Sequence, residues 1–336
     1  LQAPRDEASP WDRGALSQAA RAQGLDWIAL RLGRDDDPAA IARKAADALS
    51  GIPQAKPAPA AAARTASTST PAPVGRRSRK TLESTADFGA WQRDWFAEVR
   101  SRAMSGPFAV VNADAPQEIL RALDIPYVVN QWWASIVGAK QHGRAFAEAL
   151  KAAGFPHDVE SYSAQGLAAA LVGEVEDAPW GGLPKPDFLS LVQGSDAGPK
   201  IFRAWASVTG AELFAFDRSV ESRWNLPLEW WDDMPARWST TLEPERLDLM
   251  TAQLQEAIAR LEALTGRTFD TARFVEVMRL VNEQEDYYRR TRDLIAASRP
   301  APIGIADSMP ATMVPQWHRG TEWGRDAAKR FYEEVK

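Results

Sequence analysis

The chain has 336 residues and a mass of 37.0 kDa, enough for one large domain or two ordinary ones. A formal net charge of −5 and a pI of about 5.5 argue against nucleic acid or an anionic membrane as the main partner, because phosphate binding needs a basic face. The sequence contains no cysteine, which excludes disulfides, zinc–thiolate sites and an iron–sulfur cluster held by this chain alone.

With 45% apolar and 25% charged residues, the composition is that of an ordinary globular protein. No apolar run reaches the roughly 18 residues that a membrane span needs. Residues 1–13 are too polar for a signal peptide, and the chain starts without Met, so an upstream piece is expected. The expected location is cytoplasmic. Fourteen tryptophans are many for this length, and core and interface packing accounts for them most simply.

Helix formers fill residues 15–32 and 38–49, the second run opening on Asp35-Asp36-Asp37-Pro38, a favourable helix start. From residue 52 to 80, Pro, Ala, Ser and Thr take over and the run ends in Arg76-Arg77-Ser78-Arg79-Lys80. Such a stretch has almost nothing to bury and reads as a disordered linker with a solvated basic end, or alternatively a short nucleic-acid arm.

A helix is predicted over 88–104, with Trp91, Trp95, Phe96 and Val99 on one side. Short apolar runs then alternate with helices. Strands are predicted at 108–112, 125–129, 188–193 and 211–216, and helices at 115–122, 135–153 and 199–210. That alternation specifies βαβ units and a parallel sheet. Leucines and a Met at helical spacing predict a helix over 246–265, and a longer one follows over 271–297. The two are expected to pack as a hairpin. Residues 300–315 read as an irregular loop and 322–335 as a last helix. No internal repeat is visible.

Motifs exclude several chemistries. No Gly-x-Gly-x-x-Gly or Gly-x-x-x-x-Gly-Lys follows a strand, and Gly-x-Ser-x-Gly is absent. The histidines, His142, His157 and His318, have no zinc-ligand spacing. Trp132 and Trp133 follow a strand, Trp180 precedes two glycines, and Trp224, Trp230, Trp231 and Trp238 crowd one stretch taken as a loop. Aromatics in post-strand loops can stack on an aryl group or adenine, although core packing and subunit contact compete.

The order Ile125-Pro126-Tyr127-Val128-Val129-Asn130-Gln131-Trp132-Trp133, then Ala153-Gly154-Phe155-Pro156, Glu160-Ser161-Tyr162 and Pro184-Lys185-Pro186-Asp187, resembles the 2-hydroxyacyl-CoA dehydratase / benzoyl-CoA reductase family. Leu264-Thr265-Gly266-Arg267, Asn282-Glu283 and Arg299-Pro300-Ala301-Pro302 fit as well. The resemblance implies two Rossmann-like lobes with a helical insertion, of which the first lobe and the helical part are matched. The sequence stops about where the second lobe would begin, so that lobe is expected to be truncated or supplied by another chain.

The same resemblance puts Gln131 where the family has a carboxylate, and an amide cannot act as a general base. It puts Glu160 at the first iron-binding cysteine and Ser195 or Asp196 near the second. These positions lie just past strand ends, where open α/β sheets bind ligands. Glu160 and Asp196 can therefore be paired carboxylates for proton transfer, ligands for a hard metal, or plain loop acids. His157 is close enough in sequence to reach the same crevice, and Trp132, Trp133, Ser161, Tyr162 and Ser195 are the expected substrate contacts.

The combined expectation is an α/β fold: a Rossmann-like parallel-sheet lobe (81–240) with a helical hairpin appendage (241–336) behind a flexible N-terminal extension (helical 1–51, linker 52–80). The expected function is that of a subunit binding an acyl-CoA, an aromatic one included, within a heteromer of homologous subunits. Its own cofactor complement is empty, no metal site is expected, and a partner is expected to carry any iron–sulfur cluster. The rivals are a cluster-free lyase or hydratase using Glu160 and Asp196, and a non-catalytic structural or regulatory subunit.

Overall fold

Four short runs rich in Val, Phe and Leu are apolar at nearly every position, and such runs are stable only when covered on both faces. In a computed structural model of the chain they form one parallel sheet. The structure describes residues 82–172, 178–218 and 230–336 and the single residue Arg43. The expected helices at 15–32 and 38–49 (Arg43 apart), the expected linker at 52–80 and Trp224 lie outside the described residues.

After a short 3₁₀ turn at Glu83–Thr85 come α1 (Phe88–Ala103), β1 (Ala109–Val111), α2 (Gln117–Ala122), β2 (Tyr127–Val129), α3 (Asn130–Ala139), α4 (Gly143–Ala152) and α5 (Gln165–Leu171). Then follow β3 (Phe188–Val192), α6 (Ala197–Thr209), β4 (Glu212–Phe216), α7 (Trp230–Thr241), α8 (Pro244–Thr265), α9 (Thr271–Ala297), α10 (Ile305–Gln316) and α11 (Glu322–Val335). The strand order is β2-β1-β3-β4, all parallel, with Val110 opposite Val128 on one side and Leu189 on the other. β1 and β2 are buried throughout, while β4 is half-exposed and forms one edge.

The chain leaves β1 toward β2 but leaves β3 toward β4, so the connections from two adjacent strands depart in opposite directions. The carboxyl ends of β1 and β3 thus flank the switch point at which such sheets open a crevice.

Three helix ends aim the loops around this sheet. After α2, the amide of Asp124 bonds the carbonyl of Arg121 and that of Ile125 bonds Leu120; after α3, Gln141 bonds Gly138 and His142 bonds Val137; after α4, Gly154 bonds Lys151 and Phe155 bonds Leu150. Each is the paired bonding of a left-handed helix terminator. Asp124 (φ 55°) and Gln141 (φ 62°) take the position that glycine usually fills. The terminator at Gln141 divides the helix expected over 135–153 into α3 and α4.

Other expectations change too. Residues taken as a loop at 300–315 contain α10, which carries Pro310 and Pro315 inside it. Trp230, Trp231 and Trp238 lie on α7 rather than in a loop. α8 and α9 follow one another as expected, but their packing partners differ from a hairpin: α8 lies against β4, and α9 lies against α11 and α2.

The core holds Trp132, Trp133 and Trp205 at 0% exposure. A second aromatic group joins α1 to α11. Trp91 stacks on Trp323 at 3.7 Å, and the ring of His318 meets Trp91, Trp95 and Trp323 edge-on. His318 is fully buried, with neither ring nitrogen hydrogen-bonded to the protein. Burial, with the nearby Arg121 charge adding to it, holds its pKa well below 6.5. The folded state therefore resists protonation that the unfolded chain accepts. This contribution to stability is complete above 6.5 and is lost as the pH falls below it, by up to about 1.4 kcal/mol per pH unit. Chemical denaturation between pH 7 and pH 5.5 should show that slope, and His318→Asn should flatten it.

Packing is closest where α5 crosses α6. A Cβ on Gly166 would lie 2.0 Å from the Trp205 ring and 2.6 Å from Asn130 Oδ1. Gly166→Ala is expected to cost about 1–3 kcal/mol by overpacking. Trp205→Phe should recover part of that loss in the double variant, as measured by urea unfolding.

Candidate functional site

The loop after β1 is the floor of the crevice, and side chains hold it from three directions. The amide of Asn112 bonds the Ser190 carbonyl on β3 at 2.7 Å. Gln131, in the first turn of α3, accepts the amide of Ala113 at 2.9 Å and donates to the Asn112 side-chain oxygen. Arg319, between α10 and α11, bonds Glu118 Oε1 at 2.6 Å and the carbonyls of Ala113 and Ala115 at 2.8 and 2.9 Å.

Gln131 and the Glu160 turn lie at the same end of the sheet. Tyr162 donates its hydroxyl to the Gln131 carbonyl at 2.8 Å, and Asn130 donates to the Ser163 carbonyl at 2.8 Å. Glu160 has a left-handed backbone (φ 52°), and its carboxylate accepts the Ser163 hydroxyl at 2.8 Å. Partial burial raises the pKa of the Tyr162 phenol above its ordinary value. Ser161 and His157 are exposed on the same loop. Ser195 caps α6 by accepting the Gly198 amide at 3.0 Å, and Asp196 is exposed beside it.

Trp132 and Trp133 are not at the crevice. Both have 0% exposure; Trp132 donates its indole N–H to Gln92 at 2.7 Å and packs against Trp95 and Phe96. The helix that begins at Asn130 turns them inward while leaving Gln131 half-buried at the loop. Removing either ring would cost about 3–5 kcal/mol of stability, so the substrate-contact reading of this pair gives way to a core role.

A hollow at the carboxyl edge is formed mostly by residues the sequence did not single out. A cavity of about 550 Å³ lies outside β1, β3 and β4, between Asp114, Asp217, Arg218 and Arg319 on its polar side and Val192, Phe216, Met234, Met250 and Leu254 on its apolar side. Arg218 donates to the Gly194 carbonyl at 3.3 Å, linking the loops after β4 and β3. Asp217 accepts from Gln193 at 3.1 Å and from Gln253 of α8 at 2.8 Å, which fixes α8 over the opening. Apolar walls with a few convergent polar groups suit a small ligand carrying both a polar and an apolar part.

Thiolates hold iron–sulfur clusters, and none exists here. Glu160, Ser195 and Asp196 are hard oxygen donors that do not match a soft cluster. Among the described residues, no three His, Asp or Glu side chains are grouped closely enough to hold a metal ion. No described helix is long and apolar enough to cross a membrane.

From the loop after β1 to the last helix the sequence matches a known family. The sequence model of the 2-hydroxyglutaryl-CoA dehydratase D-component matches residues 112–336. The chain belongs to that family. Among curated proteins it is similar to the (R)-phenyllactyl-CoA dehydratase alpha subunit of Clostridium sporogenes, 27% identical over 221 residues, 66% of this chain and 50% of that protein. It is also similar to the (R)-2-hydroxyisocaproyl-CoA dehydratase alpha subunit of Clostridioides difficile, 24% identical over 227 residues, again 66% of this chain and 50% of that protein. The chain spans about half the length of these relatives.

Gln131 is the testable support of the floor. Gln131→Ala removes the acceptor of the Ala113 amide and should cost about 1–3 kcal/mol. Hydrogen exchange should accelerate at Ala113 while the sheet amides of β1 stay protected.

Proposed function

We propose that this protein works as a subunit of an acyl-CoA dehydratase-like complex and holds an acyl-CoA thioester at the carboxyl edge of its sheet. The observation that carries this reading is the cavity of about 550 Å³ at the switch point of a chain from the D-component family. Its apolar wall of Phe216, Met234, Met250 and Leu254 suits an acyl or aryl group, and the exposed guanidinium of Arg218 offers donors to the polar part of the ligand. The relative named for phenyllactyl-CoA supports an aromatic acyl group. The relatives are named as alpha subunits, which supports a heteromer.

In this reading the chain contributes binding and orientation. Gln131 keeps the floor loop in place, Tyr162 ties the Glu160 turn to it, and Arg319 sets the distance between the floor and the helical region. Iron–sulfur chemistry, where the complex uses it, is the work of a partner. Anaerobically purified chain alone should contain no stoichiometric iron or sulfide, and finding both would sink this division of labour.

Calorimetric titration with phenyllactyl-CoA is expected to give saturable binding. Met250→Trp fills the apolar side of the cavity and should weaken that binding about tenfold or more, equivalent to about 1.4 kcal/mol. Absence of saturable binding, or full affinity in a correctly folded Met250→Trp protein, would place the ligand elsewhere. Loss of activity in Glu160→Gln with binding intact would shift weight to the cluster-free lyase.

A further inference from the structure

The amino edge of the sheet, opposite the crevice, carries a second concave site. Its centre is Asp124, the left-handed terminator of α2, which stands just before β2. Three arginines from separate parts of the chain converge on it. Arg102 of α1 reaches the Asp124 carbonyl at 2.7 Å and its carboxylate at 3.1 Å. Arg267, in the turn after α8, and Arg273 of α9 each reach the carboxylate at 3.1 Å. Among the described residues, none of the three pairs with a second carboxylate within 4.0 Å. Burial opposes its ionisation, yet Arg102 and Arg273 hold the Asp124 carboxyl below the ordinary aspartate range.

The charges do not cancel. A cavity of about 80 Å³ opens here, lined by Arg102, Arg121, Arg273, Asp124, Glu98 and an apolar floor that includes Trp95 and Tyr127. In its lining three guanidinium groups face two carboxylates, so one positive charge remains, and Arg267 reaches Asp124 from outside the lining. Asp270, near Arg273 in sequence, uses its carboxylate to cap α9 by accepting the Arg273 amide. Arg102, Arg267 and Arg273 each meet Asp124 through one terminal nitrogen, which leaves the other nitrogens of each planar fork for a further acceptor. The carbonyl of Asp124 anchors Arg102 and Arg267, so part of the ordering entropy is already spent before any ligand arrives.

We propose that this cluster is a binding site for a phosphate group, held by the free edges of Arg102 and Arg273 beside Asp124. A space of about 80 Å³ has room for several waters and therefore for a tetrahedral oxyanion. Planar guanidinium forks match phosphate oxygens in pairs, and phosphate supplies the negative charge the cluster lacks. The site does not depend on what occupies the crevice at the other edge.

The test is calorimetric titration of the whole chain with inorganic phosphate and, separately, with the monoester phenyl phosphate, at constant ionic strength set by chloride. Saturable binding of at least one is expected. Tighter binding of the monoester identifies the end of a larger ligand; tighter binding of the ion identifies free phosphate; either ranking supports the site. Arg273→Ala should weaken binding about tenfold, the worth of one charge-assisted contact. Arg289→Ala, on the same helix but paired with Asp286 and Asp293, should leave it unchanged. Asp124→Asn separates the proposal from a purely structural clamp. A clamp would lose stability and gain nothing, whereas a phosphate site relieved of its competing carboxylate should bind several-fold more tightly. Circular dichroism confirms the fold of each variant. No saturable binding of either probe, undiminished binding in Arg273→Ala, or no gain in Asp124→Asn would overturn the proposal.

Discussion

Arg319 is the contact on which the arrangement depends. Its guanidinium is mostly buried, pairs with Glu118 at 2.6 Å and donates to two carbonyls of the loop after β1. Its own carbonyl accepts from Arg121. A buried charge is tolerated only when its donors are answered, and here one side chain answers them with the floor of the crevice. Without it, Glu118 would be left partly buried and uncompensated, and the α10–α11 junction would lose its register against the sheet. The helical region is therefore a structural wall of the α/β lobe rather than an appendage beside it.

That coupling explains the architecture of the cavity. α8 is drawn over β4 by the Asp217–Gln253 bond and the Arg260–Glu212 pair, while α9 is carried to α2 and α11. The two long helices diverge because each packs on a different part of the sheet layer, and the hollow lies between α8, α7, Arg319 and the carboxyl edge.

The sheet was legible because its strands are short apolar runs bounded by polar or glycine-containing turns, and both faces are covered. α9 and α11 were legible as well: Thr271–Ala297 and Glu322–Val335 begin after capping Asp270 and Thr321. What escaped has physical reasons. α10 contains two prolines, which argue against a helix in any local reading. The break after α3 uses Gln141 rather than glycine, so no punctuation marks it. Trp132 and Trp133 invited a ligand reading because they follow a strand, but a pair of adjacent residues says nothing of which way a helix will turn. Asp114, Arg218 and Arg319 come together from positions more than a hundred residues apart. Their one sequence signal was that Asp114 and Arg218 each follow a strand, and that these strands lie at or beside the switch point is visible only once the strand order is known.

The open side of β4 has a consequence of another kind. Among the described residues no strand pairs along its outer edge, and such an edge is a template for a foreign strand. This one is five residues long, starts with Glu212 paired to Arg260, and exposes Ala215 near its end. A short edge guarded by charge resists unplanned sheet extension. The Glu212–Arg260 pair that helps hold α8 over β4 is thus also part of the guard on this edge. Conditions that screen or neutralise it, such as high salt or acid, would expose a β-edge before they unfold the core.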